Sequence, residues 1–249
     1  MWTYAHLLEY AKTLVAVAAL MLACYQDVKT REIDDKVWYI MAGVGLPIAV
    51  LQVLLRRDPL YAMAYLVSAA VGTVLAFTVY WARLMGGADA KALIAISVIE
   101  IPAPWRGILA TTPSLAVLTN AVLLSALTPL AMAVRNLVLL RGKLWKGLCP
   151  DEPLWKRVLA VLVLTKVPIR TYRQKPHAFV LAENRDRGCV SLVFNLSAPE
   201  EEVPPPSDLP DEEEVWVSYL LPYILAIAGG YIIYKLVGPI LEIALVGGL

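Results

Sequence analysis

Long apolar runs broken by short polar segments fill the first 140 positions and return near the end of the chain. A helix crossing about 30 Å of hydrocarbon needs about 20 mostly apolar residues, with its backbone groups bonded internally because lipid offers no partner. Four runs are uncharged over such a length: 37–55, 60–82, 108–134 and 215–234. A fifth, from about 6 to 25, carries Glu9 and Lys12 near one end, where both can reach headgroups. With no basic leader before it and no small-residue cleavage site after it, that run reads as a span and not as a secretory signal. The apolar run 92–99 is short and lies between Lys91 and Glu100. Taken from 88 to about 102, it crosses only if protein shields it or if its first turn lines a polar cavity. The pattern predicts an all-α polytopic membrane protein with about six transmembrane helices and a small α+β domain inserted before the last.

That insert, from about Arg141 to Glu214, is too polar for a bilayer and too long for a simple loop. Within it, 158–165 reads as a short buried helix, and 177–183 with 189–196 as a hairpin around the turn-rich 184–188. Pro204, Pro205 and Pro206 open an extended linker that ends in Asp211, Glu212, Glu213 and Glu214. The expected division is therefore 1–140, a membrane domain with five helices; 141–214, a cytoplasmic domain and acidic linker; and 215–249, the sixth helix and tail. Orientation comes from the basic residues beside the spans, since cytoplasmic loops are rich in Lys and Arg. With the N-terminus outside, the inner face collects Lys29, Arg31, Lys36, Arg83, Lys91, Arg135, Arg141, Lys143 and Lys146, against Lys12, Arg56, Arg57 and Arg106 outside.

Composition agrees: 59% of the 249 residues are hydrophobic and 17% charged, against about 45–50% and 25% in soluble domains. Twenty-two basic residues nearly cancel twenty-one acidic ones, so net charge gives no reason to expect nucleic acid. Cys24, Cys149 and Cys189 are far apart and suggest neither a zinc site nor a disulfide framework. No metal or cofactor is called for.

Acidic residues beside membrane spans are costly and raise a functional question. Asp27 lies at the inner end of span one, and Asp89, after Gly86, Gly87 and Ala88, starts span four at the same face. The plain alternative is that both mark helix ends, Asp89 as an N-terminal acid favoured by the helix dipole. Against it stand the paired glycines, which let backbone approach another chain closely, and the shortness of span four. The two histidines, His6 and His177, fall on opposite sides of the membrane, leaving little for a Ser/His or Cys/His arrangement. Glu100 and Glu242 read as interfacial, and Trp38, Trp81, Trp105 and Trp216 as an aromatic belt.

The sequence resembles the archaeal preflagellin and prepilin peptidases, GxGD-type membrane aspartic proteases related to the bacterial type IV prepilin peptidases. The family's first aspartate sits in a pattern close to D-x-x-x-R-x-I-P-[ND]. Asp27, Arg31, Ile33 and Asp35 match it, with Asp34 where Pro is usual. The second lies in GxGD followed by x-K, matched at Gly86, Asp89 and Lys91, with Gly87 at the variable position and Ala88 for the second Gly. Pro222 fits the Pro-containing final span, and the paired cysteines of the bacterial methylating enzymes are missing.

The resemblance implies an endopeptidase with Asp27 and Asp89 as catalytic pair, supported by Arg31, Asp35 and Lys91. Its implied substrate is a flagellin or pilin precursor with a short basic leader and a hydrophobic helix, cut at the cytoplasmic face. Glu200, Glu201, Glu202, Glu212 and Glu213 are candidates for attracting that leader, although acidic runs are also ordinary solvated linkers. The competing class is a proton- or cation-coupled transporter using the same aspartates, which more typically places carboxylates near mid-membrane within inverted repeats. A scaffold subunit, in which neither aspartate matters, is the third reading.

Overall fold

The computed structural model describes residues 2–104, 107–140, 145–146, 148–174, 178–184, 189–192, 210–219 and 222–246. In chain order the helices are α1 (Trp2–Thr30), α2 (Lys36–Arg56), α3 (Pro59–Trp81), α4 (Gly87–Ile99), α5 (Pro113–Ser125), α6 (Leu127–Arg135), α7 (Leu154–Val163), α8 (Ile169–Gln174), α9 (Tyr223–Leu236) and α10 (Ile240–Val246). The strands are β1 (Leu164–Pro168), β2 (Phe179–Leu181), β3 (Glu183–Asn184), β4 (Ser191–Leu192) and β5 (Glu214–Tyr219). Contacts divide the chain into two compact units, Met1–Ser125 with Pro222–Leu249, and Ala126–Leu221.

Four segments are long and apolar enough to cross a membrane: His6–Thr30, Lys36–Arg56, Pro59–Trp81 and Pro113–Val138. The protein is a polytopic membrane protein carrying a small sheet domain. Two of the six expected spans are shorter. The 13 residues of α4 reach only about 20 Å at 1.5 Å per residue. Its side chains explain how that length is tolerated: Ala92, Leu93, Ile96 and Ile99 are fully buried among α2, α3, α5 and α9, so other helices cover the middle and end of α4. The run 215–234 is divided. Val215, Trp216 and Val217, β-prone and all buried, enter a strand, and Pro222 separates it from α9, which has 14 residues.

In the first unit α5 packs on α9 along a close seam. A Cβ at Gly230 would stand 2.7 Å from the Val117 carbonyl oxygen and 2.8 Å from the Ala121 nitrogen, so only glycine fits. Buried Asn120 ties the same seam: its Nδ2 donates to the Gly230 and Gly238 carbonyls, and its Oδ1 accepts from Ile240 N at 2.9 Å. Glu100 is not interfacial and Lys12 does not reach headgroups; both are buried in an internal ion cluster. Lys12 Nζ lies 2.9 Å from Glu9 and 3.8 Å from Glu100, Lys235 pairs with both glutamates, and the Tyr231 hydroxyl donates to Glu100 Oε1 at 2.7 Å. Charges removed from water persist only when paired in this way. Glu242 accepts from the Ile108 and Leu109 amides, pinning α10 to the turn before α5.

The second unit holds a three-stranded antiparallel sheet of order β1-β5-β2, with Lys166 opposite Trp216 and Val180 opposite Ser218. Trp216 is therefore a core residue, as Trp38 is in the first unit, and neither belongs to an aromatic belt. Trp81 is 89% exposed at the end of α3, and Trp105 lies outside the described residues. The expected hairpin survives as β3 paired with β4, while β2 joins β5 instead. Two further expectations are corrected. Cys149 and Cys189 form a disulfide beside a backbone bridge from Leu148 to Val190, a proximity that 40 residues of separation concealed. The run 158–165 is not a buried helix, because α7 exposes Val158 and Leu159 and the chain turns to strand at Leu164.

Candidate active site

Asp27 lies one turn from the end of α1, whose last carbonyls need partners. Arg31 supplies one: it turns into the left-handed region at φ 60° and its amide donates to the Asp27 carbonyl at 3.1 Å. The segment 31–35 then folds back on α1, with the Asp34 amide donating to Gln26 Oε1 at 3.1 Å. Asp34, standing where the resembling family has Pro, starts α2 by another device: its Oδ1 accepts the Lys36 amide at 2.9 Å. That amide bond holds the exposed Asp34 carboxyl below its ordinary range.

Asp89 is the third residue of α4, in the turn where an acid best complements the helix dipole. Its Oδ2 accepts the Gly86 amide at 3.2 Å, so the carboxylate is folded over the helix start. Gly87 and Ala88 occupy the two preceding helical positions. Ala88 replaces the usual glycine inside a first turn, where alanine is the better helix former. Lys91, one residue further than Ala90 on the same turn, reaches across to Asp35 at 2.6 Å and ties the start of α4 to the start of α2.

The fold places Asp27 within electrostatic reach of Asp89. Asp89 lies outside the four spanning segments; burial pushes its carboxyl up to about 6, the Gly86 amide opposes that rise, and the Asp27 charge adds to it. Arg31 is near enough to Asp27 for their charges to interact. Both aspartates are half-buried, so the pair is shielded from bulk water yet open to a ligand.

Two neighbours went unrecognised in the sequence. Tyr223, the first residue of α9, lies within electrostatic reach of Asp89. Buried Cys24, one turn before Asp27, contacts the Ile224 carbonyl at 3.7 Å and seats α9 against α1. The first pair is 134 residues apart and the second 200, and no spacing rule announces either. Glu212 and Glu213 belong to the second unit, and Glu200, Glu201 and Glu202 lie outside the described residues. Among the described residues no group of three or more His, Cys, Asp or Glu is arranged to hold a metal ion.

Residues 14–134 match the model of the type IV leader peptidase family, a stretch that contains both aspartates and all the motif residues around them. The chain is similar to the preflagellin peptidase of Methanocaldococcus jannaschii, 24% identical over 242 residues, which cover 90% of this chain and 93% of that one. It is also similar to the preflagellin peptidase of Methanococcus maripaludis, 21% identical over 245 residues, covering 93% and 96%. Both relatives are matched over most of this chain, and by this likeness, and by its likeness to the type IV leader peptidase family over residues 14–134, the chain is a peptidase.

Proposed function

We propose that the protein removes the short basic leader from flagellin- or type IV pilin-like precursors, with Asp27 and Asp89 as its catalytic pair. The observation that supports this reading is the electrostatic reach of Asp27, near the end of α1, to Asp89, at the start of α4. Two close carboxyls resist double ionisation and share one proton. The ionised partner takes a proton from a water between them as the water oxygen bonds to the scissile carbonyl carbon. The protonated partner gives its proton to the carbonyl oxygen. Collapse of the resulting diol breaks the C–N bond and passes a proton to the leaving amine. Asp89, with the raised pKa, is assigned the resting proton.

Arg31 and the Lys91–Asp35 pair are positioning groups in this scheme. They fix the segment 31–35, which follows the turn of α1 that carries Asp27, and the start of α4, which carries Asp89. The Lys and Arg layout supports an N-terminus outside and an active site at the cytoplasmic face. There a precursor's hydrophobic helix can enter from the bilayer while its leader stays in water. Acidic residues 200–202, 212 and 213 are proposed to attract that leader; neutralising them should raise KM for a basic leader and leave kcat unchanged.

The direct test co-expresses the full chain with a flagellin-type precursor and follows leader loss by mass. The wild type should release the leader, and Asp27→Asn and Asp89→Asn should release none. Cleavage by both variants would remove the aspartic mechanism; intact precursor with the wild type would remove the substrate class.

A further inference from the structure

Helix α7 is built the wrong way round for a water-soluble surface. Its outward residues are Leu154 at 77% exposure, Trp155 at 57%, Val158 at 61%, and Leu159 and Val163 at 39% each. At 100° per residue these five fall on one half of the helix, and that half carries no charge. The polar residues point the other way. Lys156 donates to the Leu192 carbonyl at 3.1 Å and pairs with Glu152 at 3.6 Å, and Arg157 donates to the Pro150 carbonyl. Ala160 is fully buried on that inner side, against a core that includes Leu164, Leu192 and Trp216.

The place of α7 in the chain says what covers the outward half. The apolar segment Pro113–Val138 is long enough to cross a membrane, and α6 is its last part. Helix α7 packs on α6. The end of the segment is also bonded to the end of α7: Asn136 Nδ2 donates to the Val161 carbonyl at 2.8 Å and the Leu164 carbonyl at 2.6 Å, and Thr165 donates to Asn136 Oδ1 at 3.1 Å. The outward half of α7 thus adds to the exposed apolar surface of a segment long enough to cross a membrane, where Leu130, Val134, Leu137 and Val138 are exposed on α6 and just beyond it.

We propose that α7 is an interfacial helix whose Leu154, Trp155, Val158, Leu159 and Val163 lie in the headgroup and upper acyl region of the leaflet where the Pro113–Val138 segment emerges. Its partner is the lipid surface, and Trp155 takes the depth that amphipathic rings prefer. This anchor keeps the second unit on the bilayer beside the end of its own span. It holds for either orientation of the chain and does not depend on the leader-peptidase reading.

Trp155 is the reporter. The full-length protein is reconstituted into phosphatidylcholine and phosphatidylglycerol vesicles, and the Trp155 signal is taken as the difference between wild type and Trp155→Phe. That difference should be quenched by lipids brominated in the upper acyl chain and shielded from aqueous acrylamide. Val158→Asp, an exposed substitution on the same half, should reduce the brominated-lipid quenching by about twofold or more, because a charge is driven out of the interface. Quenching by acrylamide alone would place the half-helix in water and overturn the proposal. Protection from both quenchers would overturn it too, by showing a protein cover, either a second copy, detectable by dilution into excess lipid, or another part of this chain.

Discussion

At the residue scale the decisive fact is the state of Asp89. Its pKa of about 6 lies above that of an ordinary aspartate, so the folded protein holds the proton more tightly than the unfolded chain does. Stability contributed by this group is therefore present at acid pH and is lost as pH rises from about 4 to about 6. If the proton is used in catalysis, the alkaline limb of kcat/KM should fall with a midpoint near pH 6. A profile flat from pH 5 to 8 would separate Asp89 from the chemistry. The Lys91–Asp35 pair is weaker in energy, since both partners are about half exposed. Lys91→Ala should change stability by less than about 1 kcal/mol while lowering kcat. A loss of stability without loss of kcat would make the pair structural only. Both aspartates were legible in the sequence because each sits in a short local pattern. Tyr223 and Cys24 were not, because what places them is a packing seam between helices at opposite ends of the chain.

At the element scale α4 is the organising piece. It is too short to cross, it carries Asp89 at one end, and its C-cap is Glu100, which joins α1 and α9 through Lys12 and Lys235. Removing one member of such a buried cluster leaves its partners uncompensated. Glu100→Ala and Glu100→Gln should each cost about 3–5 kcal/mol, read as a loss of thermal stability in detergent or lipid, because both remove the charge that Lys12 and Lys235 face. A far smaller cost for the near-isosteric Gln would mean that size and not charge is at stake. The α5–α9 seam makes a second demand: Gly230→Ala would drive a methyl group into the α5 backbone and should destabilise by about 1–3 kcal/mol. The long apolar helices were readable from hydropathy. The ion cluster was not, because lone charges near the ends of apolar runs look the same whether they face headgroups or one another. The strand β5 was missed for a related reason: a run of uncharged residues fits a span by composition, and only the partner strands β1 and β2 reveal its pairing.

At the scale of the whole molecule a membrane unit bears the candidate site, and a second unit is stapled by Cys149–Cys189. Closing a 40-residue loop is worth about 2–4 kcal/mol. Cys149→Ser with Cys189→Ser should therefore lower the unfolding temperature of the second unit, since the bond closes a loop within that unit; an unchanged unfolding temperature would deny the staple its weight. The bond also marks topology. Disulfides are rare in reducing compartments outside hyperthermophiles, so a cytoplasmic second unit requires a bond that resists the thiol pool. Alkylation of protein in intact membranes, read by mass, should find Cys149 and Cys189 unmodified; two alkylated thiols would count against the staple. The central claim is that Asp27 and Asp89 act as one catalytic unit. Single-turnover cleavage of a purified precursor by wild type, Asp27→Asn, Asp89→Asn and the double variant tests it most directly. Groups that act together are non-additive, so each single variant should lose as much rate as the double variant. Losses that simply multiply, or a single variant that keeps a measurable fraction of the wild-type rate, would contradict the account.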